Sequence, residues 1–425
     1  MLVYHTRIVD TEIDRLVEGG IAAISIEGAK ATGKSLTATQ RVATSLLLER
    51  TQDRQVIEAD PDRILNSLPV LVDEWQHVPS TWGVVRAAVN EGAAPGSFFF
   101  TGSKSAHQPG THSGAGRIVS VRMRPMTLVE RGVATPTVSL SNLLTGSRLP
   151  LAGHSSMTLD DYVHEIVASG FPGIRHLGEY ARCAQLEGYL ERALDHDFRD
   201  LTGRNLRNPL MLRRWLASYA AATSTVASFE TIRDASTGGM GDKPTRVTTM
   251  PYRDALESLF ILDPVPAWIP SKNHMKELGS SAKHHLVDPA LVTTILGLDA
   301  GALLDGHSSN ELIPRDGTLL GALFESLVTL NIRVMAQAAG ARIGHLRTHR
   351  GQHEIDLIVE RRDRRVVAIE VKLSGDVTDD DVHHLHWLRD KIGSDLLDAA
   401  VITTGREAYR RADGIAVIPA GSLDV

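Results

Sequence analysis

A chain of 425 residues is too long for one ordinary domain and suggests two to four, and its 42% hydrophobic and 23% charged residues fit an ordinary soluble globular protein. The single cysteine, Cys183, excludes an intrachain disulfide framework and a cysteine-based zinc cluster. A net charge of −6 does not advertise nucleic-acid binding over the whole surface, though local basic patches are compatible with it. The first residues lack a signal-peptide pattern, and no apolar run reads as approaching the ~18 residues of a membrane helix. The expectation is a cytoplasmic protein with no membrane segment.

Residues 11–19 read as a short helix and residues 22–27 as a buried, β-branched strand. The chain then runs Gly28, Ala29, Lys30, Ala31, Thr32, Gly33, Lys34, Ser35, the G-x-x-x-x-G-K-S pattern of a phosphate-binding loop. Leu36 opens a stretch to residue 50 with apolar residues at helical spacing, so the loop has a strand before it and a helix after it. Gly28 and Gly33 let the backbone turn and approach a phosphate, and the N–H groups opening the helix face the anion. Lys34 suits the β- and γ-phosphates of ATP, and Ser35 suits Mg²⁺. Residues 28–36 are the expected ATP-binding residues.

Residues 56–60 read as a second strand. Residues 69–79 contain a continuous apolar strand ending in Asp73 and Glu74. Downstream of a phosphate loop, such a pair suits a Walker B role: Asp73 supports the metal and Glu74 polarises the attacking water. Residues 97–103 form another buried strand, which in an ATPase of this layout lies beside the Asp73 strand. Thr101 or Ser103 at its end can then sense the γ-phosphate. Residues 104–116 read as a Gly-, Ser- and His-rich loop, and its His107 and His112 lack metal-ligand spacing. Arg117 follows and is a candidate arginine finger toward a neighbouring subunit. A strand leading to a proline occupies residues 116–130.

These blocks continue in order: 125–130, 162–173 with its Gly170-Phe171-Pro172, 189–197, and 283–290 with Lys283 and Asp288. Together they resemble bacterial and archaeal AAA-type ATPases that carry a C-terminal domain of unknown function, number 4143. The resemblance covers nearly the whole chain. The loop interior, residues 29–32, departs from the family's usual Pro-Arg-Gln. The resemblance implies ATP hydrolysis with Mg²⁺ and self-assembly into a homo-oligomer, with a hexameric ring among the forms such an assembly takes.

In the middle, residues 210–222 read as a helix with a basic approach from Arg199, Arg204, Arg207, Arg213 and Arg214. Residues 228–235 make a second helix, 236–243 a Gly-rich turn, and 246–259 a third helix capped near Thr248. Residues 260–268 read as a β-ribbon. Three helices and a ribbon suggest a winged helix that offers residues 249–254 to a DNA groove. Pro251, Asp254 and Glu257 make a poor groove reader, so packing beside the ATPase domain is the other reading.

Residues 319–335 form an apolar helix containing Glu325. Strands follow at 345–350, 353–360 and 366–373, with a charged turn at 361–365, then a helix at 382–392 and a strand at 399–404. Asp356 and Glu370 fall on adjacent strands, and Glu370 and Lys372 share a face because strand side chains alternate. Two carboxylates can hold a divalent metal, and a lysine can position a water beside it. The set resembles the PD-(D/E)xK nuclease core, with Glu325 as the acid from the preceding helix. Residues 341–373 carry eight Lys/Arg against five Asp/Glu, consistent with phosphate contact.

The expected fold class is α/β. Residues 1–150 form an AAA-type ATPase domain, 151–205 a helical connector, 206–300 a winged-helix-like domain, and 315–425 a PD-(D/E)xK-like α/β domain. The expected function is ATP hydrolysis driving an oligomeric motor that remodels or translocates DNA. The alternatives are an ATP-gated, metal-dependent DNA nuclease, which calls for a second divalent metal in the C-terminal domain, and a regulatory ATPase switch that binds a protein partner.

Overall fold

The computed structural model describes residues 4–103, 114–202, 209–237, 245–270, 281–308, 317–348 and 351–425. His107, His112, Arg204, Arg207, most of the Gly-rich turn at 236–243 and the end of the 345–350 strand lie outside the described residues. The chain divides into two compact units. The first is Met1–Arg124 with Phe171–Gly173 and Ser258–Ile261, and the second is the remainder.

The first unit is built on five parallel strands: β1 (Ala23–Glu27), β2 (Thr44–Leu47), β3 (Val70–Asp73), β4 (Phe98–Gly102) and β5 (Ile118–Arg122). Their order is β2-β3-β4-β1-β5, so β4 separates the strand before the phosphate loop from the strand ending in Asp73. Parallel strands are covered on both faces, and alternate residues here divide between two cores. Ala23, Val70, Val72, Phe98 and Phe100 face the helices α3 (Thr51–Ala59) and α4 (Ser80–Asn90), which supply Ile57, Trp82 and Val85. Ile24, Ile26, Leu71, Phe99 and Val121 face α1 (Ile8–Glu18) and α2 (Lys34–Thr39), which supply Ile13 and Ala38.

Two expected elements are corrected here. The helix after the phosphate loop ends at Thr39, not near residue 50, because residues 44–47 become the edge strand β2 paired with β3. Thr44 to Leu47 has little to separate helix from strand by periodicity, and the exposed edge of β3 decides it. Residues 56–60 are not a strand: Val56 and Ile57 belong to α3, with Ile57 buried and Val56 exposed. One buried position in a run of charged residues suits an amphipathic helix.

The second unit contains a seven-stranded mixed sheet. Its strands are β7 (Gly153–His154), β8 (Arg342–Arg347), β9 (Glu354–Glu360), β10 (Val366–Lys372), β11 (Leu396–Thr403), β12 (Glu407–Arg410) and β13 (Ala416–Pro419), in the order β7-β12-β13-β11-β10-β9-β8. A further pair joins β14 (Leu423–Asp424) to β6 (Val138–Ser139). Helix Asp379–Ile392 crosses between the parallel strands β10 and β11 and places Val382, Leu385 and Leu388 on the core with Ile358, Ala368 and Val401.

The long helix Gly317–Ala338 runs against β8, β9 and β10. Residues 319–338 of it are long and apolar enough to cross a membrane, which corrects the expectation that no run approaches that length. Glu325, Asn331 and Arg333 interrupt the run without lowering its average below that of a span, and two thirds of the apolar window is buried in the fold, as in a core helix.

In the middle, helices Pro209–Ala221, Phe229–Ala235 and Arg246–Ser258 stand where the periodicity puts them. The third is capped by the Thr245 hydroxyl, which accepts from the Thr248 N–H, so Thr248 lies inside the helix rather than capping it. Residues 260–268 do not fold back as a ribbon. They make isolated bridges, Leu262 to Leu286, Val265 to Lys283 and Ala267 to His345.

The second unit also brings together sequence blocks that look unrelated on paper. Asp288 caps helix Pro289–Leu296 and accepts from the Gly170 N–H at 2.7 Å and the Ser169 hydroxyl at 3.0 Å. Glu165, buried, is held by Arg131 at 2.9 Å and Arg175 at 3.2 Å. Burial would raise the pKa of that carboxyl, but the two guanidinium groups outweigh it and hold it below the usual carboxylate range.

Candidate active site

The phosphate loop leaves the C-terminal end of β1. Its shape is set by close approaches. A Cβ on Gly28 would stand 2.1 Å from the Met123 carbonyl oxygen, so no other residue fits there. Gly33 has φ +99°, in the region that favours glycine. Arg7, buried ahead of α1, donates to the Thr32 carbonyl and to the Arg124 carbonyl, both at 2.9 Å. It props the loop from outside the motif.

Lys34 is buried and folded back on the loop. Its Nζ donates to the Gly28 carbonyl at 3.0 Å, the Ala29 carbonyl at 2.9 Å and Ser103 Oγ at 3.2 Å. All three acceptors are neutral. Burial lowers its pKa to about 8, against the opposing pull of Glu74 and Asp73. A buried ammonium ringed by neutral oxygens is a site short of an anion.

Register places the remaining groups. Asp73 lies opposite Thr101 on adjoining strands. Ser35 donates to Asp73 Oδ1 at 2.6 Å, and Thr101 donates to the same oxygen. Ser103 donates to Glu74 Oε1 at 2.9 Å, and Gln76 donates to the other oxygen of Glu74. Glu74 has φ +52°, a conformation a non-glycine residue adopts at a cost of order 1–3 kcal/mol and typically holds where function requires it. Lys34, Ser35, Asp73, Glu74, Thr101 and Ser103 therefore meet at the same end of the sheet. Gln76 and Arg7 were not singled out from the sequence. Gln76, two residues past Glu74, was within reach of the motif, whereas nothing local marks Arg7.

The cluster fits Mg²⁺ and a polyphosphate. It offers a hydroxyl and a carboxylate already converging, and a buried ammonium beside glycine backbone. Arg117 is elsewhere. It precedes β5, whose Ile118 pairs with Ala23 at the start of β1, while the phosphate loop leaves the far end after Glu27. A five-residue strand separates them by roughly 16 Å. Arg117 is exposed and donates to Asn90 Oδ1 at 2.9 Å. The arginine at the phosphate end of β5 is Arg122, opposite Glu27, whose charge acts on Lys34 and whose guanidinium lies 3.6 Å from the Phe260 ring centroid.

Three stretches of the chain match known families. Residues 21–131 match an AAA domain family, residues 159–302 match a domain of unknown function (DUF8612), and residues 320–423 match a domain of unknown function (DUF4143). The chain carries an AAA-like ATPase domain. No curated protein matches the chain. Among solved structures, the chain is similar to the Walker-type ATPase PABY2304 of Pyrococcus abyssi, at 13% identity and a TM-score of 0.40, covering 69% of this chain and 96% of that one.

The second set of expected residues lies in the DUF4143 region and its approach. The β9–β10 register pairs Ile369 with Leu357, and one step further puts Glu370 opposite Asp356. Glu325 reaches them from helix Gly317–Ala338. Lys283, absent from the expected set, stands among them, with its Nζ 2.8 Å from Glu325 Oε1, 2.9 Å from Asp356 Oδ1 and 3.8 Å from Glu354. Burial alone would lower its pKa, but the charges of Asp356 and Glu325 and hydrogen bonds to both raise it. Burial and the Asp356 charge push Glu325 above its usual range, against the opposing pull of Lys283, and push Glu370 well above it. Burial would raise Asp356 too, but the Lys283 charge and its hydrogen bonds hold it below the usual carboxylate range. Lys372 turns to Asp381 at 3.7 Å.

These acids do not fit a divalent metal as they stand, because an ammonium occupies the space between them. Among the described residues no group of three or more His, Cys, Asp and Glu is arranged to hold a metal ion.

Proposed function

We propose that the AAA-like domain binds ATP with Mg²⁺ and hydrolyses it. The observation that carries this reading is the buried Lys34, whose partners are all neutral, beside the paired Ser35–Asp73 and Ser103–Glu74 contacts. On binding, Lys34 exchanges loop carbonyls for phosphate oxygens, and the loop N–H groups of residues 28–36 face the phosphates. Ser35 and Asp73 hold Mg²⁺, which when bound neutralises phosphate charge. Glu74 takes the proton of the attacking water, oriented by Ser103 and Gln76. Thr101 fixes the Asp73 carboxylate. Ser103, touching both Lys34 and Glu74, links the phosphate-binding group to the base and is suited to sense the γ-phosphate.

Phosphate release tests this. Wild type hydrolyses ATP, Lys34→Ala loses binding and hydrolysis, and Glu74→Gln keeps binding while losing turnover. Wild-type turnover in Glu74→Gln would sink the assignment.

The chain works as a homo-oligomer in this reading, a closed ring being the form that suits translocation. Arg117, exposed and a strand length from its own phosphate loop, serves a neighbouring subunit's nucleotide. Arg117→Ala then lowers turnover without weakening nucleotide binding, and mixing it with Lys34→Ala restores part of the activity. Failure of that mixture to recover activity removes the trans role.

ATP hydrolysis acts on DNA in the favoured reading. It is supported by a cavity of about 280 Å³ among the three middle helices, lined by Trp215, Phe229, Arg233, Arg246 and Arg253, with Glu230 paired to Arg233. Arg246 beside an exposed aromatic ring suits phosphate and base, while Arg253, paired with Asp254 at 3.0 Å, lies 5.1 Å from the Phe229 ring centroid. Fluorescence anisotropy with labelled oligonucleotides tests it. Arg246→Ala weakens binding and reduces the salt slope by about 1. No response of binding or turnover to any DNA leaves the regulatory switch with a protein partner.

A further inference from the structure

We propose that Lys283 is the resident cation of the C-terminal acid cluster: its ammonium permanently fills the place between Glu325 and Asp356, beside Glu370, that a divalent metal would take. This region then works without a metal, as an ion-pair clasp rather than a hydrolytic centre. The inference stands apart from the ATPase reading, since it concerns other residues and its test uses no nucleotide.

Three observations converge. The ammonium is within hydrogen-bond distance of both carboxylates, at 2.8 Å and 2.9 Å, so no room is left between them for an octahedral Mg²⁺ with ligands at about 2.0–2.1 Å. The lysine is also anchored: its side chain is 1% exposed, and its backbone N–H and carbonyl both bond Val265, each at 2.9 Å. The bridge fixes the backbone from which the ammonium reaches the two carboxylates. Third, the lysine a metal-assisted hydrolase would need beside its acids is turned away. Lys372 is 36% exposed and paired with Asp381.

The clasp joins three pieces of chain far apart in sequence. Lys283 comes from the bridge region, Glu325 from helix Gly317–Ala338, and Asp356 from β9. Asp356 also accepts from the Val371 N–H at 2.9 Å, so the ion pair reaches across to β10. Both Asp356 oxygens are thereby committed within the protein.

Mn²⁺ binding to the full-length chain, followed by electron paramagnetic resonance without nucleotide, tests the proposal. Wild type and Asp356→Asn should take up the same amount of Mn²⁺. Lys283→Ala should gain one Mn²⁺ per chain, and Lys283→Ala combined with Asp356→Asn should lose it again. Wild-type uptake that disappears in Asp356→Asn overturns the proposal, as does DNA cleavage by wild type in Mn²⁺ that disappears in the same variant. A folded Lys283→Ala that gains no Mn²⁺ also overturns it. Should Lys283→Ala fail to fold alone, refolding in Mn²⁺ replaces the binding arm. Recovery of a folded, Mn²⁺-loaded chain supports the proposal, and continued failure counts against it.

Discussion

Two buried lysines dominate this molecule, and they are opposites. Lys34 is surrounded by two carbonyls and a hydroxyl, and its pKa falls to about 8. Lys283 is surrounded by carboxylates, and its pKa rises. Burial acts on both in the same direction; the sign of the outcome is set by the partners. A buried ammonium whose hydrogen-bond partners are all neutral is suited to bind an anion. A buried ammonium with its counter-charges in place is a structural element. The contrast separates a lysine suited to take up a ligand from one that already has its partners within the fold.

The largest expected effect is on chemistry at the first lysine's site. Removing the base by Glu74→Gln lowers ATP turnover by roughly 10²–10⁴-fold with nucleotide binding retained, measured by phosphate release and by nucleotide titration. If the second lysine is a clasp, Lys283→Ala should cost roughly 3–5 kcal/mol of stability, because it strands buried carboxylates. Denaturant unfolding monitored on the second unit checks it; a loss under 1 kcal/mol erases the contrast.

Ligand addition sharpens the comparison further. ATP with Mg²⁺ at a hundred times its dissociation constant stabilises the first unit by about 2.7 kcal/mol. Lys34→Ala abolishes that gain, and Lys283→Ala preserves it wherever the first unit stays folded. A thermal-shift series on the three proteins reads all of this at once.

The smallest effect is on the stability of the empty site. Lys34→Met should change it by less than about 1 kcal/mol, since three neutral hydrogen bonds are lost while the desolvation cost of the charge is recovered. The pH dependence has a definite sign. Between pH 8 and 10.5 the unfolded chain still binds the Lys34 proton and the folded chain has released it, so stability rises with pH across that window. Lys34→Met should lack that rise, so the rise should appear in the difference between the wild-type and Lys34→Met stability–pH curves.

Much of the first site was legible because its residues are local and its logic is covalent order. Gly28 to Ser35 is one turn of chain, and Asp73, Glu74, Thr101 and Ser103 each end a hydrophobic strand. Strand ends in a parallel sheet meet at one edge, so the motif names its own neighbours. Residues 44–47 and 56–60 were harder. A short apolar run is compatible with helix or strand, and in each case the packing partner made the choice. Arg117 had a motif-like position, but the strand register sends it to the opposite end from the phosphates and brings Arg122 to them instead.

The C-terminal cluster shows the limit most clearly. Glu325, Asp356, Glu370 and Lys372 were all visible, and three of the four do converge. The residue that decides their chemistry, Lys283, lies 42 positions before Glu325 and 73 before Asp356. Sequence alone determined the phosphate loop, the paired carboxylates and the AAA-like character of the first unit, because those depend on spacing along a few consecutive elements. Only the tertiary structure decided which lysine stands among which acids. That depends on a backbone bridge at Val265 and a hairpin register, and the energy of a buried charge depends on partners a few ångströms away, however distant they are along the chain.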